Sequence, residues 1–208
     1  MKIVVFGPDK RTGVLQDDQV VDISGAYAKY LGETGSDGQP GDVPSDLSQF
    51  IEGGDHTLAS AQKSLDHLFG DAADKKGSDG TSGVCAVADT QLHAPITERA
   101  RIACAGGNFA DHAAAMAARS GGDVQEFVGD AHQNIRDTGI WGFWKVLRDY
   151  VAPGGEGVYP KRCKRLDYEG EMAIVLGRRG KDIAAGEIND YIWGVTLLGD
   201  WSARMTIE

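Results

Sequence analysis

The sequence predicts an α+β protein in which a small N-terminal α/β domain precedes a mainly β domain. The chain opens on a run of β-branched and aromatic residues, Lys2–Phe6, which is typical of a strand. Further along, the segment 57–69 carries apolar residues at helical spacing. Towards the C-terminus, the segments 172–176 and 194–198 are short apolar runs that favour strands.

The N-terminal elements follow from local signals. Gly7-Pro8-Asp9 ends the first strand, and the segments 12–16 and 19–23 follow as two more short strands. Asp17-Asp18 joins these two segments, which predicts an antiparallel pair. Residues 25–70 have helical character. The spacing is clearest in the segment 57–69, and we expect Asp55 to cap that helix and Gly70 to end it.

A polar, Gly-rich stretch at residues 71–83 is the best linker candidate in the chain. We therefore expect an N-terminal accessory domain and linker at residues 1–83 and a second domain at residues 84–208. In the second domain, the segments 84–87 and 92–96 lead into residues 102–105, which are expected to form a short buried strand. Residues 111–119 are Ala-rich and should be helical.

The composition excludes several classes of partner. The formal net charge is −10, so binding to nucleic acid or to an anionic membrane surface is not expected, because both need a positive protein surface. The three cysteines are widely spaced and include no Cys-x-x-Cys pair, which favours reduced thiols in a cytoplasmic protein. No run of eighteen apolar residues indicates a transmembrane helix.

Two glutamates lie one residue apart in the segment 167–175. Because side chains alternate between the faces of a strand, Glu169 and Glu171 should point to the same side. Like charges so placed repel each other, so either this face is solvated or a cation lies between the two carboxylates. Oxygen ligands favour hard ions such as Mg²⁺, Mn²⁺ or Ca²⁺ over Zn²⁺.

Asp200 is a third acidic candidate. It follows the apolar segment 194–199 and precedes Trp201-Ser202-Ala203-Arg204. A carboxylate at the end of a buried strand is costly unless it is paired or bound to a metal ion. The alternatives for Asp200 are therefore a metal ligand, a helix cap or a salt bridge with Arg204.

The segments 166–178 and 193–204 together resemble the fumarylacetoacetate hydrolase family, whose signature is two glutamates one residue apart and later an acid before Ser-Ala-Arg. The segments 102–112 and 143–145 agree with the same family, so the resemblance covers about residues 95–208. It implies a mainly β roll for the second domain. It also implies that the C-terminal part of that roll is missing here, because family members continue well past the Ser-Ala-Arg motif.

The resemblance implies a function as well. Glu169, Glu171 and Asp200 would bind Mg²⁺, Mn²⁺ or Ca²⁺, and the ion would stabilise an enolate formed when a C–C bond of a β-dicarbonyl, acylpyruvate or related oxo-acid breaks. His112 would activate water and Lys145 would face the substrate, while the neighbouring aromatic residues Trp141, Phe143 and Trp144 are expected to pack in the core. The expected partners are a small anionic substrate and a second copy in a homodimer.

Two departures from the family limit this expectation. Many members place a glutamate three residues after the histidine, but Ala115 stands there in this chain, so His112 lacks its orienting partner. Met205 replaces the usual aspartate after the arginine. The alternative to an enzyme is therefore a non-catalytic member that keeps the metal ligands, and we expect little turnover from these 208 residues alone.

Overall fold

The computed structural model describes residues 1–70, 83–96, 99–107, 141–146 and 150–206, together with the single residues 109, 118 and 139. The chain divides into two compact units, of which the first combines residues 1–97 with 151–208 and the second contains residues 98–150. Within the described residues, no helix has the length and apolar character that crossing a membrane requires.

A five-stranded antiparallel sheet forms the N-terminal part of the first unit. Its first three strands are β1 (Lys2–Phe6), β2 (Arg11–Gln16) and β3 (Gln19–Asp22). The turn between β2 and β3 holds Asp17 at a φ of 51°, a left-handed conformation that suits a tight hairpin and that aspartate tolerates. These three strands confirm the prediction from the sequence to within one residue at each end.

Two further strands join this sheet from beyond the expected linker. β4 (Val84–Ala86) pairs with β3, and β5 (Leu92–His93) pairs with β1, which gives the strand order β4-β3-β2-β1-β5. Residues 84–208 were predicted to form the second domain. The boundary after residue 83 stays a prediction, but the first two strands beyond it hydrogen-bond to the N-terminal sheet.

Three helices pack with the sheet: α1 (Ile23–Thr34), α2 (Leu47–Glu52) and α3 (Gly54–Gly70). Asp22 caps α1 by accepting a hydrogen bond from the backbone N–H of Gly25. Asp55, the expected cap of α3, instead lies in the first turn of that helix. The predicted helical character of residues 25–70 is thus divided among three helices.

The core lies between these helices and the sheet. The buried residues of this core come from both layers, and they include Val14, Val21, Ile23, Tyr27, Val43, Phe50, Ala61, Leu65, Leu68 and Val84. Phe50 is fully buried and meets the Trp193 ring edge-on, with 6.2 Å between the ring centroids. Trp193 belongs to the C-terminal part of the chain, so this contact ties that part to the N-terminal core.

A long antiparallel hairpin forms the C-terminal part of the first unit. Its strands are β8 (Cys163–Leu176) and β9 (Ile192–Thr206), and a 3₁₀ helix at Ala185–Asp190 lies between them. Both strands extend well beyond the apolar runs that predicted them. As a result, Asp200 lies in the interior of β9, and the expectation that it ends a strand is wrong.

The second unit contains a two-stranded antiparallel sheet. Its strands are β6 (Ile102–Gly106) and β7 (Trp141–Lys145). β6 confirms the strand predicted at residues 102–105, but none of its residues is buried, so the expectation of a buried strand is wrong. The predicted Ala-rich helix at 111–119 lies outside the described residues, apart from residue 118.

Candidate functional site

The pairing of β8 with β9 brings two of the three candidate acids opposite each other. Glu169 is the direct cross-strand partner of Asp200, and the next pair on the same face joins Glu171 to Leu198. Side chains of cross-strand partners lie on the same face of a sheet, with Cβ atoms typically about 4.5–5.5 Å apart. All three carboxylates therefore project from one face of the hairpin, which we call the acid face.

The two faces of the hairpin differ in their exposure to solvent. On the acid face, Asp200 is only 7% exposed, and the side chain of Glu169 is 27% exposed. On the opposite face, large apolar side chains stand in solvent: Tyr168, Met172, Ile174, Leu176, Val195, Leu197 and Trp201. The hairpin is therefore inverted relative to an ordinary surface sheet, because it shelters carboxylates and exposes apolar groups.

Both carboxylate oxygens of Glu169 are engaged by side chains of β9. The Arg204 guanidinium donates from Nη2 to Oε1, and the Ser202 hydroxyl donates to Oε2 at 3.3 Å. Because an ionised carboxylate offers about four lone-pair sites, these two donors leave acceptor capacity for a cation. The two contacts also fix the orientation of the carboxylate.

A fourth acid, Asp167, lies on the same face. Its Oδ2 atom accepts hydrogen bonds from Arg204 Nε at 3.1 Å and from an Arg165 Nη2 atom at 3.1 Å. The Arg204 guanidinium, followed by that of Arg165, holds the pKa of the Asp167 carboxyl below its ordinary value. Asp167 therefore remains ionised and paired at neutral pH.

Asp167 was not among the predicted site residues, although the pattern that indicates it is present in the sequence. Residues 167, 169 and 171 are related by the same two-residue alternation that predicted the shared face of the glutamates. The same alternation relates Asp200 and Ser202 on β9. Asp167 could thus have been placed on the face of Glu169 from the period of β8, whereas the residues of β9 that lie beside Glu169 depend on the register between the two strands.

The chemistry of the donor set fits a hard divalent ion, because Glu169, Glu171 and Asp200 offer only carboxylate oxygens on one face. The present positions of these side chains do not add to this argument. Among the described residues, no three His, Cys, Asp or Glu side chains form a group that could hold a metal ion. The role of the three acids as ligands therefore stays a prediction that rests on their shared face and on their chemistry.

The other two predicted site residues belong to the second unit. Lys145 ends β7 and pairs with Ile102, and its Nζ atom lies 5.6 Å from the centroid of the Phe143 ring. His112 lies outside the described residues. The expectation that the aromatic residues beside Lys145 pack in the core is wrong, because Trp141, Phe143 and Trp144 are all exposed.

These observations define a class: a mixed helix and sheet protein with a long antiparallel hairpin that carries several carboxylates on one sheltered face. Comparison with known proteins gives the family. Residues 101–208 match the family model described as Fumarylacetoacetate (FAA) hydrolase C-terminal. The chain belongs to the fumarylacetoacetate hydrolase family, which confirms the resemblance carried by the acidic motifs.

Two curated relatives share less than a third of their aligned residues with this chain. The oxaloacetate tautomerase YisK of Bacillus subtilis (strain 168) is 27% identical over 197 residues, which cover 92% of this chain and 56% of the relative. The mitochondrial oxaloacetate tautomerase FAHD2A of Homo sapiens is 28% identical over 165 residues, which cover 78% of this chain and 42% of the relative. The chain thus spans about half the length of these relatives.

A solved structure supports the fold. The maleylpyruvate hydrolase from Sphingobium sp. SYK-6, crystallised with a manganese(II) ion and pyruvate, matches with a TM-score of 0.54 and 18% sequence identity. The match covers 98% of this chain and 60% of that one. The mixed helix and sheet content with a curled antiparallel sheet is therefore that of fumarylacetoacetate hydrolase structures.

Proposed function

We propose that this chain carries a divalent-metal site that acts on a small anionic oxo-acid or β-dicarbonyl by stabilising its enolate. The observation that supports this proposal is the strand register, which sets Glu169 opposite Asp200 and places Glu171 on the same face. Three carboxylates on one face carry a charge that favours a dication. Because all the donors are oxygen atoms, Mg²⁺, Mn²⁺ and Ca²⁺ are the preferred ions.

In this proposal Glu169, Glu171 and Asp200 hold the ion. A bound divalent cation supplies Lewis acidity and so offsets the negative charge that develops on an enolate oxygen. The burial of Asp200 favours this role, because low solvent exposure strengthens electrostatic interactions at the acid face. The exposed Glu171 has room to turn towards an ion without any change in the backbone.

The choice of substrate class is supported by the names of the relatives. Two are oxaloacetate tautomerases, and the maleylpyruvate hydrolase was solved in complex with manganese(II) and pyruvate. Oxaloacetate, maleylpyruvate and pyruvate are all 2-oxo acids. Tautomerisation and C–C bond cleavage of such acids both need an enolate to be stabilised, so the same acid face could serve a hydrolase, a lyase or a tautomerase.

A second candidate is a non-catalytic protein that binds the ion without turning over a substrate. One observation favours it. Ala115 stands where many family members have the glutamate that orients the histidine. This candidate and the enzyme share the metal site and differ in turnover.

The metal site can be tested with Mn²⁺, because electron paramagnetic resonance reports the free ion directly. We expect the full chain to bind Mn²⁺ and the Glu169→Gln and Glu171→Gln variants to bind it much more weakly. The loss should be at least the roughly 10- to 100-fold that removing an outer partner of a metal ligand typically causes. Glu187→Gln is the matched control, because Glu187 lies on the exposed 3₁₀ helix of the same unit. Equal binding by all four proteins would contradict the proposal.

Turnover separates the two candidates. We expect the 208-residue chain, supplied with Mg²⁺ or Mn²⁺, to act only slowly on oxaloacetate and on an acylpyruvate. The reason is that orientation of reacting groups can be worth roughly 7–11 kcal/mol, and Ala115 stands where many family members have the glutamate that orients the histidine. Fast turnover that Glu169→Gln abolishes would show that these residues suffice for catalysis.

A further inference from the structure

Arg204 lies at an irregularity in the pairing of the hairpin. Leu166 pairs with Ala203, but the preceding residue, Arg165, pairs with Met205, so Arg204 is an extra residue on β9. Such a bulge redirects the side chain of the extra residue and commonly occurs beside functional sites. Here the side chain extends along the acid face to β8.

The Arg204 guanidinium contacts two acids of β8 through different nitrogen atoms. Nε donates to Asp167 Oδ2 at 3.1 Å, and Nη2 donates to Glu169 Oε1. Because the guanidinium is a rigid planar fork, the contact with Asp167 fixes where Nη2 meets Glu169. Asp167 thereby influences the position of the Glu169 carboxylate through Arg204, without needing to contact that carboxylate itself.

We propose that Asp167 is a positioning residue, which anchors Arg204 so that Arg204 and Ser202 hold the Glu169 carboxylate in the orientation in which it binds the metal ion. The inference rests on the proposed function, because it takes Glu169 as a ligand. Carboxylates that bind metal ions are themselves held by hydrogen bonds, and loss of such an outer partner commonly lowers metal affinity 10- to 100-fold. Asp167 would act one step further out, through Arg204.

Charge alone makes a different prediction, which allows a clear test. If the acid face attracted Mn²⁺ only through its net charge, Arg204→Met would remove a positive charge and tighten binding. If Arg204 positions Glu169, the same substitution weakens binding despite the favourable change in charge. Arg204→Lys sharpens the distinction, because it keeps the charge and loses the planar fork.

The chain offers a matched control in Arg165. The Arg165 guanidinium meets the same Asp167 oxygen at the same 3.1 Å distance, and among the described contacts of the two arginines only Arg204 also reaches Glu169. Arg165→Met therefore removes the same charge from the same partner without releasing Glu169. Asp190→Asn is the control for Asp167→Asn, because it removes a negative charge from an exposed position in the same unit.

The experiment measures the Mn²⁺ affinity of the full chain by titration with electron paramagnetic resonance, with circular dichroism to verify folding. We expect Asp167→Asn, Arg204→Met and Arg204→Lys each to weaken binding by about tenfold or more. The Asp167→Asn/Arg204→Met double variant should bind no more weakly than the worse single variant, because both substitutions release the same carboxylate. Arg165→Met and Asp190→Asn should change the affinity by less than about threefold.

The outcomes separate this inference from the proposed function. If Arg204→Met binds Mn²⁺ as tightly as the unsubstituted chain, or more tightly, the positioning role of Asp167 and Arg204 is overturned while the metal site stands. If the unsubstituted chain binds no Mn²⁺, the proposed function fails and this inference fails with it. Additive losses in the double variant would show that Asp167 does not act through Arg204.

Discussion

The N-terminal sheet and the β8–β9 hairpin belong to the same compact unit but place their apolar residues in opposite environments. In the N-terminal sheet, Val14 is 1% exposed and Val20 is fully buried. In the hairpin, Leu197 is 89% exposed, whereas Asp200 on the opposite face is only 7% exposed. The comparison teaches that an apolar run predicts a strand but does not indicate whether the apolar face of that strand is buried.

The largest expected effect comes from substitution in the buried region. Phe50→Ala should lower the free energy of unfolding by about 3–5 kcal/mol, because it removes a fully buried ring that also contacts Trp193. Leu197→Ala should change it by no more than about 0.5 kcal/mol, because that side chain is almost wholly in solvent. Denaturant titration followed by circular dichroism measures both, and equal losses would remove the contrast between the regions.

The next effect concerns the apolar face of the hairpin, defined by Tyr168, Met172, Ile174, Leu176, Val195, Leu197 and Trp201. A contiguous exposed apolar patch of this kind favours association. We therefore expect the mass measured by light scattering to rise with protein concentration, and the double substitution Met172→Lys/Leu197→Lys to reduce that rise. The homodimer suggested by the family resemblance stays a proposal that this experiment addresses.

The control for this prediction is a pair of lysines on the exposed 3₁₀ helix, Gly186→Lys/Ile188→Lys, which adds the same charge outside the two strands of the hairpin. If this control lowers the mass as much as the hairpin variant does, added charge alone explains the effect. A constant monomer mass for the unsubstituted chain at high concentration would contradict the prediction outright.

Local patterns predicted the parts of the fold that depend on neighbours in sequence. β1 to β3 follow from β-branched runs separated by turn residues, and their bounds were correct to within a residue. Pairing between distant segments was not predictable in this way. β4 and β5 return to the N-terminal sheet from beyond the expected linker, and nothing in their own composition indicates which sheet they join.

The same division applies to the candidate site. The shared face of Glu169 and Glu171 follows from alternation along one strand, so the sequence alone predicted it. The position of Asp200 opposite Glu169 depends on the register between two long strands, which the isolated motifs do not specify. The bulge at Arg204 is a further non-local feature, and it could be identified only once the pairing was known.

The smallest expected effect lies at the edge of the N-terminal core, where a carboxylate is paired but remains near solvent. Asp42 accepts hydrogen bonds from the backbone N–H of Gln39 at 2.9 Å and from the Tyr27 hydroxyl at 3.2 Å, and His56 Nε2 lies 3.5 Å away. The Gln39 N–H group, followed by His56 and Tyr27, lowers the pKa of Asp42 below its ordinary value of 3.8. The ionised carboxylate is therefore favoured in the folded state relative to the unfolded chain.

A depressed carboxyl pKa contributes stability that is fully present above the unfolded pKa and is lost as the pH falls through the folded pKa. We accordingly expect Asp42→Asn to unfold more easily than the unsubstituted chain at neutral pH, because asparagine keeps an acceptor oxygen but loses the charge. The gap should begin to narrow as the pH falls below the ordinary value of 3.8, and it should continue to narrow as the pH falls through the lower pKa of the folded state, where the native carboxyl also becomes neutral. Thermal melting of both proteins from pH 7 to pH 3 measures this gap, and Asp37→Asn, which alters an exposed acid nearby, is the control. A gap that stays constant across this range would show that the geometry of the side chain, and not its charge, holds this edge of the core together.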